Sequence, residues 1–82
     1  MEYEGKRKLA DEIRGLRTLH GLKTGIEAAR LRLDLSRQQL ADRLDVSLYV
    51  IEQLEEGMYP GPVLLRQLER ALGVSGDILT AP

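Results

Sequence analysis

The sequence predicts an all-α domain, and three observations carry that expectation. Leu occurs 16 times against eight Val and Ile together, while Phe, Trp and Asn are absent. Leu, Arg, Glu, Gln and Ala favour helix, whereas β-branched and aromatic residues favour strands. Apolar residues recur at helical spacing, and Ser, Gly and Pro punctuate the stripes where helices start and stop. With 82 residues this is one domain of modest size, which buries only about 60–65% of its unfolded surface.

The first element is a helix near residues 6–20. Leu9, Ile13, Leu16, Leu19 and His20 fall on one side of it. A break is expected from Gly21 to Gly25. The stripe has two open uses, packing on the body of its own chain or forming a seam with a second copy. A helix over about 26–33 follows, with Ile26, Ala29 and Leu33 on one face. Ser36 is an N-cap, and Gln39 completes a capping box. That helix runs to about Arg43, with Leu40, Ala41 and Leu44 apolar.

Ser47 caps the next helix, in which Val50, Ile51 and Leu54 face inward as far as Gly57, placed as a left-handed C-cap. Pro60-Gly61-Pro62 reads as a loop, and Pro62 suits a first helical turn. Leu64, Leu65, Leu68, Ala71 and Leu72 form the following stripe, stopped by Gly73. Ser75 is expected to cap a short last turn holding Ile78 and Leu79.

Composition excludes several classes. No apolar run approaches the ~18 residues of a membrane span. Without Cys there are no disulfides, thiolate metal sites or Cys nucleophiles. His20 and scattered carboxylates make no metal-ligand cluster. No nucleophile–base pair, Gly-rich phosphate loop or carboxylate dyad stands at a recognisable spacing, so neither an enzyme nor a cofactor is expected. A cytoplasmic setting is expected. Charge divides the chain into two parts. Residues 1–25 form a basic helical extension of net +2, and residues 26–82 carry net −3.

The informative stretch is Leu35 to Gly57, which reads as helix, three-residue turn, helix. Ala41 is small where two crossing helices come closest. Asp45 falls at the turn, where φ > 0 is expected, and Asp tolerates that region better than most residues. Val46 plugs the turn into the core, and Ile51 and Leu54 fasten the second helix from below. The outer face of 47–56 is left free. In a helix-turn-helix the second helix enters the major groove, with its N-terminal residues at base edges.

The chain resembles the Cro/phage-repressor-type helix-turn-helix family over about residues 26–79. The carriers are Leu35-Ser36, Leu40-Ala41, Leu44, Val46-Ser47, Ile51, Glu55-x-Gly57, Pro60, Leu68 and Ala71-Leu72-Gly73-Val74-Ser75. The resemblance implies a five-helix repressor-like domain, here with an additional N-terminal helix. It also implies double-stranded DNA as partner, a homodimer (with the N-terminal helix as one available seam) and a repressor or autoregulator role. Arg30 and Glu55 match a family ion pair and are read as structural.

The positions that match the family's DNA-facing residues are Arg37 and Gln38, then Leu48, Tyr49, Glu52 and Gln53, then Met58 and Tyr59 in the loop. Arg37 is a phosphate ligand by type, Gln53 can read adenine and Glu52 can accept from a cytosine amine. Leu48 and Tyr49 can touch a thymine methyl or a sugar. The family commonly places polar or basic residues where Leu48, Tyr49, Met58 and Tyr59 stand. Few cations face DNA, so weak non-specific binding is expected, with Lys6-Arg7-Lys8 available as an arm. A protein-interaction module that keeps the fold but not DNA binding is the second reading.

Overall fold

The computed structural model describes residues 2–82, with side chains from Arg7 onward. Among these residues the chain forms six α-helices and no strand: α1 Glu2–His20, α2 Gly25–Arg32, α3 Arg37–Leu44, α4 Leu48–Glu55, α5 Pro62–Leu72 and α6 Gly76–Leu79. The all-α expectation and the helix order both stand. Among the described residues no helix is long and apolar enough to cross a membrane.

One core joins all six helices. Ile13, Ile26, Ala28, Ala29, Leu40, Ala41, Ile51, Leu54, Leu68, Leu72 and Leu79 are buried in it. The stripe on α1 packs on its own chain: Ile13 is buried, and Leu9 and Leu16 lie against the same cluster. Leu19, placed on that stripe by spacing, is instead 75% exposed, and His20 is exposed too. The reason is that α1 ends there. Gly21 turns left-handed at φ 63, and the Leu22 N–H donates to the Arg17 carbonyl at 2.9 Å, which closes the helix in a Schellman-like way. Leu22 rather than Leu19 then completes the apolar contact.

Side-chain contacts distant in sequence hold α1 in place. Arg17 donates to the carbonyls of Lys23 (2.8 Å) and Ala81 (3.0 Å). Arg32 pairs with Glu12 at 3.0 Å. Gly25 belongs to α2 rather than to the break. Thr24 caps the helix by accepting the Glu27 N–H. A Cβ at Gly25 would run into the Ile78 carbonyl oxygen, so α2 meets α6 at a residue without a side chain.

Of the two caps that follow the turn, one holds and one differs from expectation. Helix α4 stops at Glu55, and Glu56 is its C-cap in right-handed geometry. Gly57 follows it at φ 118, and its N–H donates to the Leu54 carbonyl at 3.1 Å while the Met58 N–H donates to the Gln53 carbonyl at 3.0 Å, so a positive-φ glycine closes α4 as expected. Ser75 makes no side-chain cap. The Gly76 N–H donates to Glu69 Oε2 at 2.7 Å, so a carboxylate from α5 caps α6 across the turn.

Candidate nucleic-acid interface

The site is built from α3, the turn and α4. The Gln39 N–H donates to Ser36 Oγ at 3.0 Å and the Ser36 N–H donates to Gln39 Oε1 at 2.8 Å, so a full capping box fixes the start of α3. Asp45, at φ 56 and ψ 45, ends that helix in the left-handed region. The Val46 N–H donates to the Ala41 carbonyl at 3.1 Å, and Val46 packs against the core. Ser47 Oγ accepts the Val50 N–H at 3.4 Å and starts α4. Ala41 is fully buried and brings only a methyl group to the core, and Ile51 and Leu54 anchor α4 from inside.

These anchors decide what α4 shows to the outside. A four-residue offset stacks Leu48 with Glu52 and Tyr49 with Gln53 on the helix surface. Leu48 is 39% exposed and Tyr49 67%. Glu52 is exposed and Gln53 half-buried. Met58 and Tyr59 are exposed in the loop that follows. Gln38 is exposed on α3, where its Nε2 donates to Asp42 Oδ1 at 2.9 Å.

An ion-pair network underlies this face. Arg30 donates from Nε to Glu55 Oε2 at 2.7 Å, from Nη2 to Glu55 Oε1 at 3.1 Å and from Nη1 to the Leu35 carbonyl at 2.8 Å. Glu55 is only 3% exposed and Arg30 6%, so α2 and α4 share a desolvated, bidentate pair of the kind with the best geometry. Arg37 joins it. Its Nε donates to Glu55 Oε1 at 2.8 Å and its Nη2 to Glu27 Oε1 at 3.4 Å. These bonds, Glu55 foremost, push the guanidinium pKa further up, and the group stays charged.

Arg37 is therefore held in place by carboxylates of its own chain. Two carboxylates hold it while its outer edge stays open to solvent, the side chain being 48% exposed. No sequence signal marks this contact, because Arg37 and Glu55 are 18 residues apart and on different helices. Lys23 is engaged too, bonding Glu56 Oε2 at 2.5 Å. A groove of about 340 Å³ runs beside α4, and Glu27, Glu52, Glu55 and Glu56 line it together with Lys23 and Arg37. The expected basic arm includes Lys6, which lies outside the residues whose side chains are described. Among the described residues no group of three acidic or His side chains is placed to hold a metal.

A family model described as helix-turn-helix matches residues 26–79, two-thirds of the chain. The chain belongs to that family. It is the Cro/phage-repressor type that the spacing of Leu35 to Gly57 resembles. The general function of a helix-turn-helix protein, DNA-binding regulation, comes with membership. No solved structure matches the chain significantly. The matched segment begins after α1, so the contacts of Ile13, Arg17 and Glu12 add to the helix-turn-helix body a helix that the family pattern does not contain.

Proposed function

We propose that this chain is a sequence-specific regulator that places α4 in the major groove and acts as a repressor or autoregulator. The observation that carries the reading is the free outer face of α4, with Leu48, Tyr49, Glu52 and Gln53 outward and the opposite face locked by Ile51, Leu54 and Glu55. Tyr49, Glu52 and Gln53 read base edges. Gln38 and Tyr59 meet the backbone on either side, and Arg37 offers its open edge to a phosphate while Glu55 fixes its orientation. A homodimer would set two such helices on half-sites about 34 Å apart. Because Ile13 and its neighbours pack internally, that dimer uses another surface, or only the exposed end of α1 around Leu19.

The experiment is selection from a random duplex pool at near-physiological salt. An enriched inverted repeat supports a dimeric regulator, and its spacing gives the dimer geometry. A single half-site supports reading without a stable dimer. No enrichment, even at low salt where phosphate contacts are strongest, sinks the proposal.

A second reading has its own observation. Leu48, Tyr49, Met58, Tyr59 and Val63 are all exposed apolar or aromatic side chains, and such clusters mark partner surfaces. The carboxylates on Arg37 and Lys23 favour it as well. The two readings separate on two variants. If DNA is the partner, Arg37→Ala and Tyr49→Ala both weaken DNA binding, and Arg37→Ala reduces the salt slope by about 0.9. If a protein is the partner, Tyr49→Ala weakens that complex and Arg37→Ala leaves it intact.

A further inference from the structure

Helix α4, from Leu48 to Glu55, contains no Lys or Arg. The commonest specific contact in the major groove, Arg or Lys to guanine O6 and N7, is therefore closed to it. The cation nearest this face, Arg37, is held by Glu55 and Glu27. What α4 exposes most is two largely apolar side chains and one carboxylate, Gln53 beside them being half-buried. Leu48 carries no polar side-chain atom, and Tyr49 exposes a ring. Glu52 is exposed, and its carboxylate has no hydrogen-bond partner among the described side chains, although it shares the groove beside α4 with Lys23 and Arg37.

We infer that α4 reads a pyrimidine strand, with thymine C5-methyl groups against Leu48 and Tyr49 and a cytosine N4 amine donating to Glu52. The inference rests on the DNA-binding reading above and names its ligand chemistry. The thymine methyl is the one apolar group on any base edge in the major groove, and an acceptor-only carboxylate needs an amine donor, which on a pyrimidine strand is cytosine N4. A guanine on the strand facing Glu52 presents O6 and N7, two acceptors, to a negative charge. Helical geometry keeps these contacts together. Leu48 and Glu52 are four residues, about 6 Å, apart along the axis. Stacked bases on one strand are about 3.4 Å apart. The methyl and amine contacts therefore fall within two or three consecutive base pairs.

The test takes the duplex enriched from the random pool and replaces its thymines with uracil one at a time. Uracil keeps every hydrogen bond and loses only the methyl, so no protein variant is needed for this arm. Wild-type affinity is expected to fall about fourfold at each contacted thymine, the effect of uncovering one carbon group. Leu48→Ala and Tyr49→Ala are each expected to bind the thymine and uracil duplexes equally at one of those positions. Glu52→Gln is expected to move the preference at its base pair from cytosine towards adenine. Both Leu48 and Tyr49 are surface residues, and an unchanged helical circular dichroism spectrum verifies folding. An enriched site at which wild-type protein binds uracil as well as thymine overturns the inference and leaves the regulator reading standing. A pool that yields nothing at low salt overturns both.

Discussion

The two faces of α4 obey different rules. The inner face carries Ile51 and Leu54, fully buried, and Glu55, whose carboxylate two arginines share. Each of these residues is set by what it touches inside the chain. The outer face carries Leu48, Tyr49, Glu52 and Gln53, none of them buried, so packing constrains them far less. The inner face therefore reports the fold, and the outer face is the one proposed to meet the ligand. Where the outer face departs from the family's polar and basic habit, the departure concerns the ligand and leaves the fold untouched. Substitutions on the two faces should accordingly produce different kinds of failure.

The largest effect is expected inside. Glu55→Ala leaves the Arg30 guanidinium, whose side chain is 7% exposed, without its carboxylate. Removing one member of a buried pair costs ~3–5 kcal/mol. At about 4–8 °C per kcal/mol for a domain of this size, thermal unfolding should fall by tens of degrees. Replacing both partners with apolar residues should recover much of that loss, because the cost comes from the abandoned charge. A Glu55→Ala variant that melts with the wild type would mean that Arg30 finds water, and the contrast between the two faces would collapse.

Next in size is the added helix. Ile13→Ala removes a core side chain that is 2% exposed, and such truncations cost ~2–5 kcal/mol. Chemical denaturation should show one cooperative transition shifted to lower denaturant. Two transitions would show that α1 unfolds apart from residues 26–79. An unchanged midpoint would show that α1 adds nothing to the core.

What the sequence revealed follows the same division. Helices α2 to α5, the capping box at Ser36 and the left-handed Asp45 were all legible, because each is written in local spacing. The positions of Arg30 and Glu55 came from the family resemblance, since residues 25 apart share no periodicity. Three features were not legible. Arg37 joins Glu55 from another helix, Arg17 reaches the Ala81 carbonyl 64 residues away, and Glu69 replaces Ser75 as the cap of α6. All three are side chains reaching across the fold, so they appear only once the backbone is in place. Leu19 failed for a local reason: α1 ends one residue later, and Leu22 beyond the Gly21 turn takes the apolar contact. The outer face of α4 was legible only as a list of residue types, and its exposure needed the structure.

A smaller effect, of opposite sign, is expected at the turn between α3 and α4. Asp45 sits at φ 56, where residues with a Cβ pay a steric cost that Gly avoids. Asp45→Gly should stabilise the domain by about 0.5 kcal/mol, the left-handed gain outweighing the extra freedom of the unfolded chain. DNA affinity should stay unchanged, since the turn lies off the reading face. Equilibrium unfolding in urea checks the first part. A loss of stability would show that the Asp45 carboxylate does more for the turn than its steric tolerance suggests.

The smallest effect is expected where the extension meets the reading helix. Lys23 and Glu56 bond each other at 2.5 Å with both side chains largely in solvent. Lys23 holds the Glu56 carboxyl below its ordinary value of 4.5, and Glu56 holds the Lys23 ammonium above its ordinary value of 10.5. The Glu56 contribution is complete above its ordinary value and is lost as pH falls through its lowered one. The Lys23 contribution is complete below its ordinary value and is lost as pH rises through its raised one. Glu56→Gln should therefore differ slightly from the wild type at neutral pH and converge with it in acid. In 1 M salt, where screening acts within ~3 Å, the difference should vanish at every pH. A difference that survived high salt would mean that Lys23 and Glu56 fasten the α1–α2 loop to α4 through packing as well as charge. The added helix would then be coupled mechanically to the face proposed to read DNA, and α4 could no longer be divided cleanly into a face for the fold and a face for the ligand.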